Sequence, residues 1–227
     1  MMSSRAYPLL VRIFSAPGEI PHDLVGDLAT ESLGQILASV CGGDITGIQS
    51  LIENPDANEY VRAGGLTALL TVVACGERSR EETIAYFREL FQKLDRTPNY
   101  LWSDLVCSSA DLGPEDLMDE IRRAFEDRLV EPMVVGWSEV ERDRKLGTEA
   151  AMERLRRSRN LAHGAAARST RSAAGGDAFP RIYPATFDTH HGAVVLCSIT
   201  ISLRKRAALV RPSSGDMSVS SCSIDIT

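Results

Sequence analysis

Cysteine pairs are missing from this chain. Its five cysteines, Cys41, Cys75, Cys107, Cys197 and Cys222, are odd in number, widely spaced and never arranged as CxxC. That excludes a disulfide framework and a structural zinc site of the usual spacing. Long apolar runs are missing too. Leu9 to Phe14 is interrupted by Arg12, and no stretch approaches twenty apolar residues. The N-terminal MMSSRAYPLLVRIFSAPGE is therefore too short in apolar length for a signal peptide or a membrane span. The compartment expected is the cytosol, with no membrane partner. Excess positive charge is absent as well: the net charge is −6, against the basic surface that phosphate binding requires. No nucleic-acid partner is expected.

The charge divides along the chain. Residues 1–158 hold 17 basic and 27 acidic side chains, whereas residues 159–227 hold 8 and 4. The composition shifts at the same place. Residues 160–176 are Ala, Gly, Ser and Arg without an apolar stripe, and Ala193 to Leu203 is an isolated β-prone run. The domain reading is a folded body over residues 1–158 and an irregular, disordered tail over residues 159–227.

The body has a grammar. Gly42, Gly76 and Gly113 each close a helix-period apolar stretch, at spacings of 34 and 37 residues. A period in that range built from helix pairs signals a stacked helical solenoid, because one pair cannot bury its apolar face alone. Ala6 to Phe14 reads as a short helix with Pro8 in its first turn. Pro17, Gly18, Pro21 and Gly26 read as a loop. Thr30 to Cys41 carries the stripe Leu33, Ile36, Leu37 and Val40, and Gly42-Gly43 ends it as a left-handed cap. Asp44 can cap a helix with Ile45, Ile48, Leu51 and Ile52 inward. After the turn Asn54-Pro55-Asp56, a helix from Asn58 buries Val61, Leu66, Leu69, Leu70 and Val73. Ser79 with Glu82 is a capping-box pattern opening Ile84, Phe87, Leu90, Phe91 and Leu94. Thr97-Pro98-Asn99 turns into Tyr100 to Leu112. Leu117, Ile121, Ala124 and Phe125 start a further pair broken at Glu131-Pro132, and Ser138 to Leu146 and Thr148 to Arg157 complete the body. Asp44 to Gly76 and Ser79 to Gly113 thus read as two like units.

Several of these segments carry a family likeness. RAYPLLVRIFSAPGE, GDLATESLGQILASVCGGDITGIQSLIENPDANEYVRAGGLTAL and IAYFRELFQKL resemble the bacterial family catalogued as domain of unknown function 1186. The likeness runs in order over about residues 5–158. It implies an all-α, HEAT-like α-α superhelix, a right-handed helical repeat stack, and it implies no activity. Asn58-Glu59-Tyr60-Val61-Arg62 is similar to the polar-x-x-Val-Arg start of the second helix in HEAT-type repeats. The likeness further implies a helix before Arg5 and a cysteine-rich SEC-C zinc motif at the C-terminus. The residues after Arg159 do not carry that motif, and the abrupt change there resembles a frame-shifted or divergent end.

No catalytic, cofactor or metal residue is assigned, and no cofactor is expected. Cys41 and Cys75 each precede a helix-stopping glycine and read as small apolar repeat positions, as does Cys107. His22-Asp23 could suggest acid–base chemistry, but no motif places a nucleophile beside it, and it reads as a loop pair capping a helix. His190, His191 and Cys197 offer metal-ligand types in the tail without a supporting fold. Gly42 to Gly47 lacks the Lys-Ser/Thr of a phosphate loop. Glu115, Asp116, Asp119 and Glu120 read as a solvated acidic helix start, open to a basic partner. Arg154, Arg156, Arg157 and Arg159 read as the opposite helix end. Arg62 is expected to bond a carbonyl or carboxylate of a neighbouring repeat. The leading functional expectation is a helical-repeat scaffold that binds a protein or peptide. The alternative is a small hydrolase or lyase using carboxylates or His22 in a groove between repeats.

Overall fold

A computed structural model describes residues 3–158 of the chain. The expected tail, including His190, His191, Cys197, Cys222, Arg159 and the Ala193 to Leu203 run, lies outside the described residues. Within them the architecture is all-α, with no strand beyond isolated bridges pairing Pro17 and Gly18 with Ala57. Eleven α-helices occur in the order α1 (Ser3–Phe14), α2 (Ile20–Val25), α3 (Leu28–Glu31), α4 (Leu33–Val40), α5 (Thr46–Glu53), α6 (Glu59–Ala74), α7 (Arg80–Lys93), α8 (Tyr100–Asp111), α9 (Met118–Glu126), α10 (Trp137–Leu146) and α11 (Thr148–Arg157). A 3-10 turn over Pro114–Leu117 precedes α9.

The glycines act as their positions predict. Gly42, Gly43, Gly76 and Gly113 all have positive φ, a conformation that L side chains seldom adopt. At Gly76 the stop is a Schellman motif: Gly76 N–H donates to the Val73 carbonyl and Glu77 N–H to the Val72 carbonyl. The starts are equally local. Asn58 Oδ1 accepts Tyr60 N–H at 2.9 Å, Ser79 Oγ accepts Glu82 N–H at 3.1 Å, and Asp44 Oδ1 accepts Thr46 N–H at 3.0 Å. Each satisfies an amide that the first helical turn would leave unpaired.

Between these punctuation marks the chain forms two rows. Helices α4, α6 and α8 pack side by side with α6 in the middle, while α5 and α7 back onto them. Tyr86 on α7 reaches α5, donating its phenol to Glu53 Oε1 at 3.0 Å. At the far side α7 meets α9. Helix α6 is covered on nearly every side, by α3, α4, α5, α7, α8 and α11. Small residues make that possible. A Cβ at Gly34 on α4 would lie 2.7 Å from the Thr67 side chain and 2.9 Å from the Gly64 carbonyl oxygen. A Cβ at Gly65 would lie 2.6 Å from Ile52.

Five details depart from the sequence expectation. First, α1 starts at Ser3, so Pro8 sits past the first turn; the missing amide costs one intrahelical bond and the helix continues. Second, the Pro17 to Gly26 segment is not a plain loop. Pro21 occupies the second position of α2, where it lacks no needed donor, and Gly26 ends that helix. Third, Ser32 leaves the helical region, at φ −130°, and splits Thr30 to Cys41 into α3 and α4, which turns α4 so that Gly34 abuts α6. Fourth, no second helix follows α9 before Pro132. Arg128 takes a left-handed φ of 58°, closing α9 with a Schellman pattern in which Leu129 N–H donates to the Ala124 carbonyl. Fifth, Arg62 bonds within its own helix pair, Nε donating to the Ile52 carbonyl at 2.8 Å at the end of α5. Its side chain is shielded, and burial lowers its pKa.

Two substitutions test this packing. Gly34→Ala should destabilise by ~1–3 kcal/mol, since the Gly64 carbonyl cannot rotate out of the way; equilibrium urea unfolding of the full chain reads it. Leu69→Ala should cost ~2–5 kcal/mol by the same measurement, because Leu69 is 1% exposed on α6.

Candidate functional site

Most charged side chains pair with one another along the surface. The acidic start of α9 is answered by the chain's own arginines: Asp116 by Arg80 at 2.6 Å, Glu120 by Arg88 at 3.3 Å, Glu115 by Arg144 at 2.8 Å and Asp119 by Arg122 at 3.8 Å. It is less a surface awaiting a basic partner than a set of internal ties. Arg156 and Arg157 likewise pair with Glu153. His22 lies within α2 rather than in a capping loop, exposed, 3.9 Å from Asp27. Cys41 is buried with its thiol donating to the Ala38 carbonyl, and Cys75 follows the end of α6 as Cys41 follows α4. Gly47 packs against the Tyr7 phenol instead of a phosphate.

One place differs. A cleft of about 290 Å³ opens between α6, α8 and α11, lined by Thr67 and Leu70, by Asp104, Cys107, Ser108 and Asp111, and by Arg154, Leu155 and Ser158. Helix α8 supplies the polar wall because Asp104, Cys107 and Asp111 fall at i, i+3 and i+7, on one helical face. The opposite face of α8 holds Trp102, Leu105 and Val106 in the core. Helix α11 brings Arg154, which bonds Asp111 Oδ1 at 3.2 Å and Asp143 Oδ1 on α10 at 2.7 Å.

Asp104 is the anomaly. Its Oδ2 is shut off from solvent and has no hydrogen-bond partner, alone in this among the buried side-chain oxygens and nitrogens of the described residues. Burial, reinforced by the nearby Asp111 carboxylate, pushes its carboxyl from 3.8 up to about 7. Burial also raises Asp111, opposed by Arg154. The Cys107 thiol, buried first and then facing Asp104, Asp111, Glu139 and Asp143, is pushed up to about 12. A thiol so held is a poor nucleophile, because reactivity belongs to the thiolate and thiolates form beside positive charge. No three His, Cys, Asp or Glu side chains among the described residues group as metal ligands.

The sequence reading missed this cleft. Cys107 was expected to be a small apolar position and is instead half-buried in a polar wall. The signal was present as a polar stripe on an apolar helix, Asp104-x-x-Cys107-x-x-x-Asp111. The covering helix α11 could not be placed from periodicity.

A family model described as a protein of unknown function, DUF1186, matches residues 1–163. The chain belongs to DUF1186. This DUF1186 chain is 40% identical over 139 residues to an uncharacterized protein of Chlamydia trachomatis serovar D, a match covering 61% of this chain and 55% of that protein. An uncharacterized protein of Chlamydia muridarum matches at the same 40% identity over 139 residues, with the same coverage. The chain thus spans about half the length of the curated relatives it matches. No solved structure matches it. No helix among the described residues of this DUF1186 member is long and apolar enough to cross a membrane.

The raised Asp104 carboxyl makes a signed prediction. Its folded-state pKa lies above the unfolded value, so between about pH 4 and pH 7 the folded state holds the proton more tightly. Stability from this group is therefore full at acid pH and is lost as pH rises towards 7. Asp104→Asn removes that loss and should raise stability at pH 8 by on the order of a few kcal/mol. The gain should vanish near pH 4, as read by chemical unfolding at both pH values.

Proposed function

We propose that residues 1–158 are a HEAT-like helical-repeat domain that binds a protein or peptide in the cytosol, with the α6–α8–α11 cleft as its recognition site. The carrying observation is the cleft itself, set between α6, α8 and α11 and holding a buried carboxyl oxygen, Asp104 Oδ2, without a partner. Folded proteins pair nearly all buried polar groups, so one left open at a cleft points to a guest that completes it. The row formed by α4, α6 and α8 supports the repeat reading, since alternate helices of the chain pack side by side in sequence order. The glycine-stopped pairs α5–α6 and α7–α8 supply its unit. Repeat stacks of this kind present extended surfaces to polypeptides.

A second reading has one observation in its favour. A carboxyl that titrates near neutrality suits general acid–base catalysis, which would make the cleft the groove site of a small hydrolase or lyase. His22 takes no part in that reading, being on α2 away from the cleft lining. The protonated Cys107 supplies no nucleophile beside Asp104, and binding remains the better account.

Photo-crosslinking separates the two. A photoreactive side chain at Ser158, on the cleft rim, should capture a discrete polypeptide in cells of the native host. The same group at exposed Glu81 on α7 should not. Equal labelling from both positions, or no polypeptide adduct, would overturn the scaffold reading. Turnover of a small molecule abolished by Asp104→Asn would establish the other.

A further inference from the structure

We propose that the cleft between α6, α8 and α11 receives an organic cation, the guanidinium or ammonium end of a basic side chain on the partner polypeptide, seated against Asp104. This rests on the binding reading above and names the chemistry of its guest.

Three observations converge on it. The first is the unpartnered Oδ2 of Asp104. Protonation would remove its charge yet leave a buried polar group unbonded, whereas a cationic N–H donor supplies both the hydrogen bond and the opposite charge. The second is the surrounding field. Asp104 and Asp111 on α8 and Glu139 and Asp143 on α10 all bear on the Cys107 thiol at the cleft wall. The cation in the lining, Arg154, is already bonded to Asp111 and Asp143. Glu139 has Arg142 at 3.8 Å, so two arginines stand against four acids and the site keeps more negative charge than its own residues answer. The third is shape. About 290 Å³ is small for a drug-sized ligand but accommodates one long side chain. Leu70 and Leu155 with the Thr67 methyl offer apolar wall to its methylene stem.

The same geometry argues against a metal ion as the guest. Asp104 and Asp111 are two helical turns apart on α8, roughly 10 Å along the axis, too far to grip one ion at the 2.0–2.6 Å of oxygen ligation. An anion is excluded by the four carboxylates.

The occupancy carries a pH dependence. In the empty cleft the Asp104 carboxyl gives up its proton only near 7, and a seated cation favours the charged form. Facing it are Asp111, Cys107 and Tyr100 on α8 and Arg154 across on α11; α6 contributes only Thr67 and Leu70. Cys107 and Tyr100 are both raised and stay uncharged through neutrality, and Arg154 is raised and stays positive. Affinity should therefore climb roughly tenfold between pH 6 and pH 8 as Asp104 ionises.

The test is an NMR titration of the full chain with three pentapeptides that differ only at the centre: Gly-Gly-Arg-Gly-Gly, its lysine counterpart and its norleucine counterpart. The basic probes should give saturable shifts on α8 and α11 and should lower the titration midpoint of the Asp104 carboxyl. Norleucine should do neither, and Asp104→Asn should weaken the basic probes at least tenfold. No saturable shift with either basic probe, equal binding of norleucine, or undiminished binding to Asp104→Asn would overturn the inference. Should that variant fail to fold, the Asp104 midpoint in the unaltered chain decides alone: movement supports the proposal and constancy refutes it. A polypeptide captured from Ser158 alongside an unmoved midpoint would refute the cation while sparing the scaffold.

Discussion

Everything in the described structure is arranged around the close approach of α6 to its neighbours. A helix touched on nearly all sides needs places where its backbone can meet another with almost nothing between. Gly34 on α4 against Gly64 and Thr67, and Gly65 on α6 against Ile52, are those places. The helix has no broad polar face to give to water, which is why its burial runs through Val61, Ala63, Leu66, Leu69 and Val73 and includes even Thr71 and Arg62. Arg62 can be there because the Ile52 carbonyl, left open at the end of α5, accepts its guanidinium. Burial of the middle helix also fixes where α8 and α11 lie, and with them the cleft.

That cleft is a departure from the economy seen elsewhere in the molecule. Trp102 donates its indole N–H to the Asp95 carbonyl, Ser103 accepts the Glu131 amide and Tyr86 reaches Glu53, so buried polar groups find partners within the chain. Arginines on α7 and α10 answer the acids around α9. Against this background an unbonded carboxyl oxygen at Asp104, with the Asp111 carboxylate bearing on it and Arg154 committed to Asp111 and Asp143, is a local violation of the rule by which the chain folds. Such violations concentrate at functional sites, where a group is kept poised at some expense in stability.

How much of this was legible in the residues follows from how local each cause is. The glycine stops at Gly42, Gly76 and Gly113 and the caps at Asp44, Asn58 and Ser79 act within four residues, and the sequence displays them openly. The break at Ser32 has no local mark, because it is imposed by the fit of Gly34 against α6. The short helix α2 hides behind Pro21 and Gly26, two residues that usually announce a loop and here mark its two ends. The left-handed turn at Arg128 uses a residue that gives no warning of it. The cleft was half legible: Asp104, Cys107 and Asp111 share a helix face by spacing alone, but only the return of α11 across that face converts a polar stripe into a site.

The ties that hold the two ends of α8 carry one more implication. At one end, Glu59 on α6 accepts the Tyr100 amide at the start of α8 at 2.6 Å, with the Tyr60 and Tyr100 rings 4.7 Å apart. At the other end, Arg80 at the head of α7 donates to the Leu112 and Gly113 carbonyls that close α8 and to Asp116 beyond them. Helix α8 is thus pinned at both termini by residues from earlier in the chain. An array held only by apolar faces can lose its last unit and keep the rest, peeling from one end. Here detachment of α8 would strip Arg80 and Glu59 of their partners at once, so partial unravelling carries a cost from the first step. Helix α8 cannot part from α6 and α7 without breaking polar ties at both of its ends.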